Sequence, residues 1–249
     1  MNETNCHVQI PKFILKQFEN QNHELFYYDY QKKAIKKGHA ASLNTSLGFF
    51  SKEMELFLNS EVEQPFSKFL EKSKPFVMGQ TVFMTPKDKN SIFVYFYSLI
   101  SRGTTYLDTV KNESVTSFLF SPQELHNISV YLGITKMQTS SFFQESDVTL
   151  GINTTGIPFV LPNIGYCETK GTVIMPITPF LAVMIVYKEK ERFFQNGERF
   201  FAKFNEDETV ININNRLFVN EKNNKRYVTA TTKKQLEEIV EKLQKEGKL

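Results

Sequence analysis

Apolar positions recur along this chain at two spacings, and the change from one to the other divides it. Leu58, Val62, Phe66 and Phe69 follow at steps of four, four and three within Glu53–Lys72, which predicts an amphipathic helix that Pro65 kinks or divides. Ile92, Tyr95, Phe96, Leu99 and Ile100 fill one face of a second helix over Asp88–Val110. A third opens on Ser121, Pro122 and Glu124: a capping hydroxyl, a proline at the first helical position and an acid that can return the cap. Leu125, Ile128 and Leu132 form its apolar side, and Gly133 is its expected stop. Past about residue 140 the spacing falls to two, with Val148, Leu150 and Ile152 sharing one face of Asp147–Asn153. Phe159–Leu161, Thr172–Ile177 and Phe180–Tyr187 are short runs rich in Val, Ile and Phe, bounded by Pro158, Pro162, Pro176 and Pro179. These read as strands with prolines at their ends or on edges.

Both kinds of element occur at the two ends. Pro11–Phe18 predicts a short helix with Ile14, Leu15 and Phe18 on its apolar face, and the alternation over Glu24–Tyr30 predicts a strand. A partner strand from about Ala34 completes a hairpin. Glu206–Asn220 begins with three acids at the positive end of a helix dipole. A strand at Arg226–Thr231 comes next, then a helix capped by Thr232 with Gln235 three residues on and a stripe of Leu236, Ile239, Val240 and Leu243. Together these predict an α+β fold. A central helical layer over about 53–138 packs on a mainly antiparallel sheet, which is built from the N-terminal hairpin and the 147–230 strands, with a helix at the C-terminus. No linker, repeat or low-complexity tract interrupts residues 1–249, so a single domain is expected.

Composition adds an aromatic core. The 249 residues are 41% hydrophobic and 23% charged, enough to close a core without disulfide staples. They include 24 Phe and 10 Tyr but no Trp, so ring clusters should replace aliphatic layers. Frequent Lys, Asn and Ile fit the codon bias of an AT-rich genome; a dedicated aromatic binding surface is the alternative. The net charge of +3 is too small to announce a nucleic-acid partner. One local excess stands out: no acid lies between Asp29 and Glu53, where Lys32, Lys33, Lys36 and Lys37 sit together. They are either a hairpin edge guarded by lysines or a strip that contacts phosphates.

Two distant cysteines, Cys6 and Cys167, imply free thiols and no disulfide-linked partner. Met1 to His7 lack the basic and apolar regions of a secretory leader. The runs Ile92–Ile100 and Phe180–Tyr187 are about half the ~20 residues a membrane span needs. A cytoplasmic protein with no membrane partner is expected.

Catalytic signatures are mostly missing: no GxSxG, P-loop lysine motif, HExxH or paired CxxC occurs. Cys6 and His7 with Cys167 would lack a fourth zinc ligand, so neither a metal nor a cofactor is expected. Polar residues on apolar stripes are more informative. Arg102 stands three beyond Leu99 and seven beyond Tyr95, on the core side of its helix. A buried guanidinium needs a partner, and Glu63, bordering the preceding stripe, is the predicted neighbour. The pair is either an internal clamp or the anion-binding centre of a pocket. Asn214, four after Val210 and three before Leu217, either ties down a loop or meets a ligand.

These residues also carry a resemblance. Ile10-Pro11-Lys12-Phe13-Ile14-Leu15-Lys16-Gln17-Phe18 resembles the opening of the bacterial family catalogued as "domain of unknown function 4238", a His-x-x-Pro-x-x-x-Leu-x-x-Phe element followed by a strand. Asn44 is similar to an asparagine after the first hairpin, Val62-Glu63 to an Ile-Glu pair, and Arg102 to an arginine that ends the next helix. Phe159-Val160-Leu161-Pro162-Asn163 resembles a segment that usually reads Ser-Asp-Asn-Pro, and Met175-Pro176-Ile177-Thr178-Pro179 a Pro-Leu-Ser-Pro strand. Asn214 and Arg226-Tyr227-Val228 are similar to the closing Asn and Arg-x-Val elements. Val8 stands where the family has histidine and Asn163 where it has aspartate, so acid–base or metal work by those two would be missing. The family has no settled activity, and some members are linked to bacterial defence against phage.

The leading expectation is an accessory protein, enzymatic weakly if at all, that recognises a protein or nucleic-acid partner in such a setting. Asn44, Arg102, Asn163, Asn214 and Arg226 are its candidate binding residues. The alternatives are a metal-dependent nuclease or other hydrolase using Glu63 beside Arg102, and a small-anion or nucleotide sensor using Arg102 and Arg226. Whether the chain is an enzyme stays open.

Overall fold

A computed structural model describes residues 5–43, 45–47, 49–80, 82–103, 120–137, 139–169, 171–187, 202–222 and 226–249. Strand β1 (Asn5–His7) precedes helix α1 (Lys12–Leu15), which tightens into a 3₁₀ turn at Lys16–Phe18. The expected hairpin is β2 (Leu25–Asp29) and β3 (Ala34–Gly38), followed by β4 (Thr45–Leu47). Helices α2 (Lys52–Phe57), α3 (Gln64–Ser73), α4 (Pro86–Arg102), α5 (Pro122–Met137) and α6 (Ser141–Glu145) come next. Strands β5 (Ser146–Asn153), β6 (Leu161–Pro162), β7 (Cys167–Thr169), β8 (Thr172–Thr178), β9 (Leu181–Tyr187) and β10 (Ala202–Phe204) lead to α7 (Asp207–Lys222), β11 (Tyr227–Ala230) and α8 (Lys233–Lys245). This is an α+β fold. The expected helix tail over 104–110 lies outside the described residues, and so does Asn44.

The chain gathers into two compact units interleaved in sequence, Met1–Pro11 with Asn44–Gln144 and Lys12–Leu43 with Glu145–Leu249. In the first unit, β1 pairs antiparallel with β4 beside the helices. Pro65 does not break its helix. It cannot donate an N–H to the carbonyl four residues back, and the chain relaxes into a π-helical stretch at Leu58–Glu63, where the Gln64 N–H donates to Asn59 O, five residues back. Helix α4 begins two residues earlier than the apolar pattern indicates, because Thr85 and Asp88 form a reciprocal capping box around Pro86. The predicted cap of α5 is also present, with the Ser121 N–H donating to Glu124 Oε2 at 2.7 Å. Rings fill the core as composition requires. Phe66 stacks on Tyr95 at 3.9 Å and 8°, and Phe143 meets Phe93 edge-on at 4.8 Å and 87°.

Gly133 is not a helix stop; α5 runs through it to Met137. The glycine serves packing: a Cβ there would lie 2.4 Å from the Cβ of Ser101 on α4. Across the same close approach the Ser129 hydroxyl donates to the Ser101 carbonyl at 2.9 Å.

In the second unit the expected single sheet is two. Strands β7, β8 and β9 form an antiparallel meander, β5 pairs antiparallel with β9 beside it, and β10 runs parallel to β5 at the far edge. The hairpin pairs instead with β11, which brings in β6, to give the order β3-β2-β11-β6. Strands β7, β8 and β9 follow one another through short connections and pair in that order, and β5 completes their sheet against β9. The late strand β11 is then free to join the hairpin. Phe218, Leu217 and Val210 of α7 and Leu236, Ile239 and Leu243 of α8 share a core with Tyr28, Val228 and Phe159. The predicted Thr232 cap holds α8, accepting from the Gln235 N–H.

Gly133→Ala should destabilise the first unit by roughly 1–3 kcal/mol through overpacking, measured by denaturant unfolding. Adding Ser101→Gly should recover most of the loss. An additive double variant would refute the close-approach account.

Candidate functional site

Arg102 and Glu63 meet as their stripes require. Arg102 Nη2 lies 3.3 Å from Glu63 Oε1, and Nη1 donates to the Gln9 carbonyl at 3.2 Å. The guanidinium carbon sits 5.8 Å from the centre of the Phe50 ring, a cation–π approach. The arginine side chain is wholly buried while that of Glu63 keeps 26% of its surface in solvent. Among the described residues Arg102 Nε has no partner. The charge therefore joins the Gln9 segment, the Phe50 loop and the π-helical turn, which is the work of an internal clamp. Among the described residues no three His, Cys, Asp or Glu side chains gather to hold a metal ion.

The four lysines do not form a continuous strip. Lys36 is paired with Asp29 at 2.7 Å and Lys37 with Glu24 at 2.8 Å, which holds both carboxyls below their usual range. Lys32 and Lys33 are exposed in the hairpin turn. Strand β3 is an edge of its sheet among the described residues, and lysines there guard against further pairing.

Asn214, Asn163 and Arg226 belong to the second unit. Asn214 is buried on α7, accepts the Val160 N–H at 3.0 Å and donates to the Pro158 carbonyl at 2.9 Å. It ties down the segment leading into β6. Gln235 of α8 donates to the same Pro158 carbonyl. The Asn163 N–H donates to Tyr227 O, and the Arg226 carbonyl accepts from the Tyr30 N–H.

Between these residues lies one that the sequence pattern does not single out. Glu221, in the last turn of α7, is wholly buried. Its Oε2 accepts the Ile164 N–H at 2.9 Å, while its Oε1 has no partner among the described residues. Burial pushes the carboxyl up to about 8, against the opposing pull of the Ile164 and Asn163 backbone and of Arg226. A signal for it exists: Glu221 is four beyond Leu217 and seven beyond Asn214, on the same stripe.

On the neighbouring face of α7 a groove of about 630 Å³ opens. Cys167 and Glu168 of β7 form one wall and Asn212, Asn215, Arg216 and Asn220 of α7 the next. Lys242 and Leu243 of α8, with Glu246 and Lys248 beyond it, complete the lining. Lys248 is paired with Glu246 at 2.7 Å, whereas Arg216 and Lys242 have no ion-pair partner among the described residues. Asn215 Oδ1 is buried and unpartnered among the described residues. The Cys167 thiol is free and pushed up to about 12 by burial, so it is an inert wall at neutral pH. Of these residues only Cys167 draws notice in the sequence, because polar residues on an exposed helix face look alike until packing brings a second helix beside them.

No family model, curated protein or solved structure matches this chain.

Glu63→Leu should cost roughly 3 kcal/mol, because it leaves a buried guanidinium without its counter-charge. Arg102→Met should cost less, since the partly exposed acid can take up water. Denaturant unfolding of both variants checks the order, and a reversed ranking would refute the clamp. Stability should also depend on pH. Folding raises Glu221 from 4.5 to about 8, so its contribution is whole below about 4.5 and is lost as pH rises through 8. Stability should fall by about 3 kcal/mol between pH 6 and pH 9 relative to Glu221→Gln.

Proposed function

We propose that this chain is a binding protein whose second unit recognises an acidic stretch of polypeptide in the groove between α7, α8 and β7. The observation that carries the reading is a pair of cations, Arg216 and Lys242, that close on no carboxylate as an ion pair among the described residues and line one groove with a buried acceptor, Asn215 Oδ1, that has no donor among them. The cations ask for a carboxylate or phosphate. The orphaned acceptor asks for an N–H, which every peptide unit except proline supplies and a phosphodiester backbone does not. The carboxylates of Glu168 and Glu246 in the same groove also disfavour a polyanion with a charge at every step. The hydrolase and Arg102-sensor readings have no comparable support, since Arg102 is consumed inside its own unit. The family resemblance implies a setting in bacterial phage defence for this encounter.

Selection from a displayed library of random dodecapeptides tests the reading. Asp- or Glu-bearing peptides should be enriched, and a synthetic copy should bind at least tenfold more weakly to Arg216→Glu/Lys242→Glu. No enrichment, or binding indifferent to that double reversal, overturns it. So does a single-stranded oligonucleotide that binds where the peptides do not.

A further inference from the structure

The groove wall formed by β7 is held from one side by the last turn of α7. Pro162–Gly165 makes a tight turn, closed by the Gly165 N–H donating to Pro162 O at 2.9 Å, with Gly165 at a φ of 86° that suits glycine. Two adjacent α7 residues fasten this turn and the residue after it. Glu221 Oε2 takes the Ile164 N–H, and Asn220 Nδ2 donates to the Tyr166 carbonyl at 3.3 Å. Tyr166 runs directly into Cys167 and Glu168 of β7, and Asn220 itself lines the groove. A carboxyl with no exposure and one oxygen unmatched among the described residues therefore stands at the attachment of the wall.

We propose that Glu221 is a proton-controlled latch on the groove: neutral, it holds the 163–166 turn against α7; ionised, it drives that turn off and the β7 wall with it. The latch regulates the groove on which the binding reading rests. A buried carboxylate is unfavourable unless well partnered, and among the described residues the attraction that could offset it comes from Ile164, the neighbouring Asn163 backbone and Arg226. Detaching the turn lets water reach the charge. The other titratable groups facing Glu221 are Tyr30 just past β2, Tyr166 in the segment entering β7 and Tyr227 on β11, with Glu168 bearing on Tyr166. Burial pushes all three phenols up, Tyr166 to about 12, so they stay neutral while Glu221 ionises. Arg226 supplies the one cation acting on it among the described residues.

Amide hydrogen exchange of wild-type protein and Glu221→Gln, compared at each pH from 6 to 9 so that intrinsic rates cancel, reads the latch. Protection over residues 163–169 should fall at least tenfold relative to the variant as pH rises through 8, with the β8–β9 amides unchanged. Parallel loss in the two proteins overturns the proposal. If the variant does not fold, ¹³C-carboxyl NMR of the wild type decides. Glu221 and the Ile164 amide should titrate together near pH 8, and a Glu221 midpoint near 4.5 overturns the latch. Affinity for a peptide selected as above should fall over the same range. Exchange that shows the latch pattern while no peptide binds at any pH would remove the binding reading and leave the latch standing.

Discussion

Taking an ionisable side chain out of water is the constraint to which both compact units answer. They answer it in opposite ways because the groups differ. A guanidinium does not give up its proton within the range where proteins are folded, so burying Arg102 obliges the first unit to bring an acid, a carbonyl and a ring to it. Glu63, Gln9 and Phe50 come from separate stretches of sequence, and the need to meet one charge fixes where each stretch goes. A carboxyl has the other option of keeping its proton. Glu221 is accordingly surrounded by backbone N–H groups and phenols instead of a close ion pair. The first unit thereby meets a permanent charge with partners, and the second meets a carboxyl with a proton.

Helix α7 also acts as a ruler for the segment Pro158–Tyr166. Asn214 satisfies Pro158 and Val160, Glu221 satisfies Ile164 and Asn220 satisfies Tyr166. Seven residues of helix rise about 10.5 Å, comparable to the reach of the short, turning run from Val160 to Ile164. That run would otherwise carry buried backbone groups without partners, since β6 is only two residues long. The Phe159–Asn163 stretch is thus one that α7 holds. Its partner Asn214 explains itself as a satisfier of backbone, with no ligand required.

Periodic elements and their caps are legible in the sequence, and so are Arg102 and Glu63, through charge on an apolar stripe. The reading goes astray where one residue type has two uses. Gly133 reads as a stop because glycine commonly ends helices, yet its lack of a side chain serves the contact with Ser101. Glu221 escapes because the sequence pattern ends α7 at Asn220, one residue short of the buried acid that closes the stripe. Short strands such as β7 and β10 have too few alternations to show a period, and the division into two sheets depends on a strand that pairs with elements far away in sequence. The groove has no sequence signature at all. It exists because α8 returns beside the outward face of α7.

A buried glutamate at position 221 is a strange choice if holding a turn were its only task. Glutamine would present the same carbonyl oxygen to the Ile164 N–H and would carry no ionisation penalty at any pH. It would still leave one polar atom unmatched, as the carboxyl does, so it is no worse at satisfying the site. The difference between the two is confined to the proton. A residue whose distinctive property is unfavourable to the folded state, placed beside the wall of a polar groove, is the kind of local inconsistency that fits a functional demand better than a structural one. Arg226 fits the same view. It acts on the carboxyl without closing on it as an ion pair among the described residues, which tempers the penalty and leaves the carboxyl able to change state near neutral pH. A tighter pair would fix the charge and abolish the switch; no cation at all would keep the proton in place far into alkali.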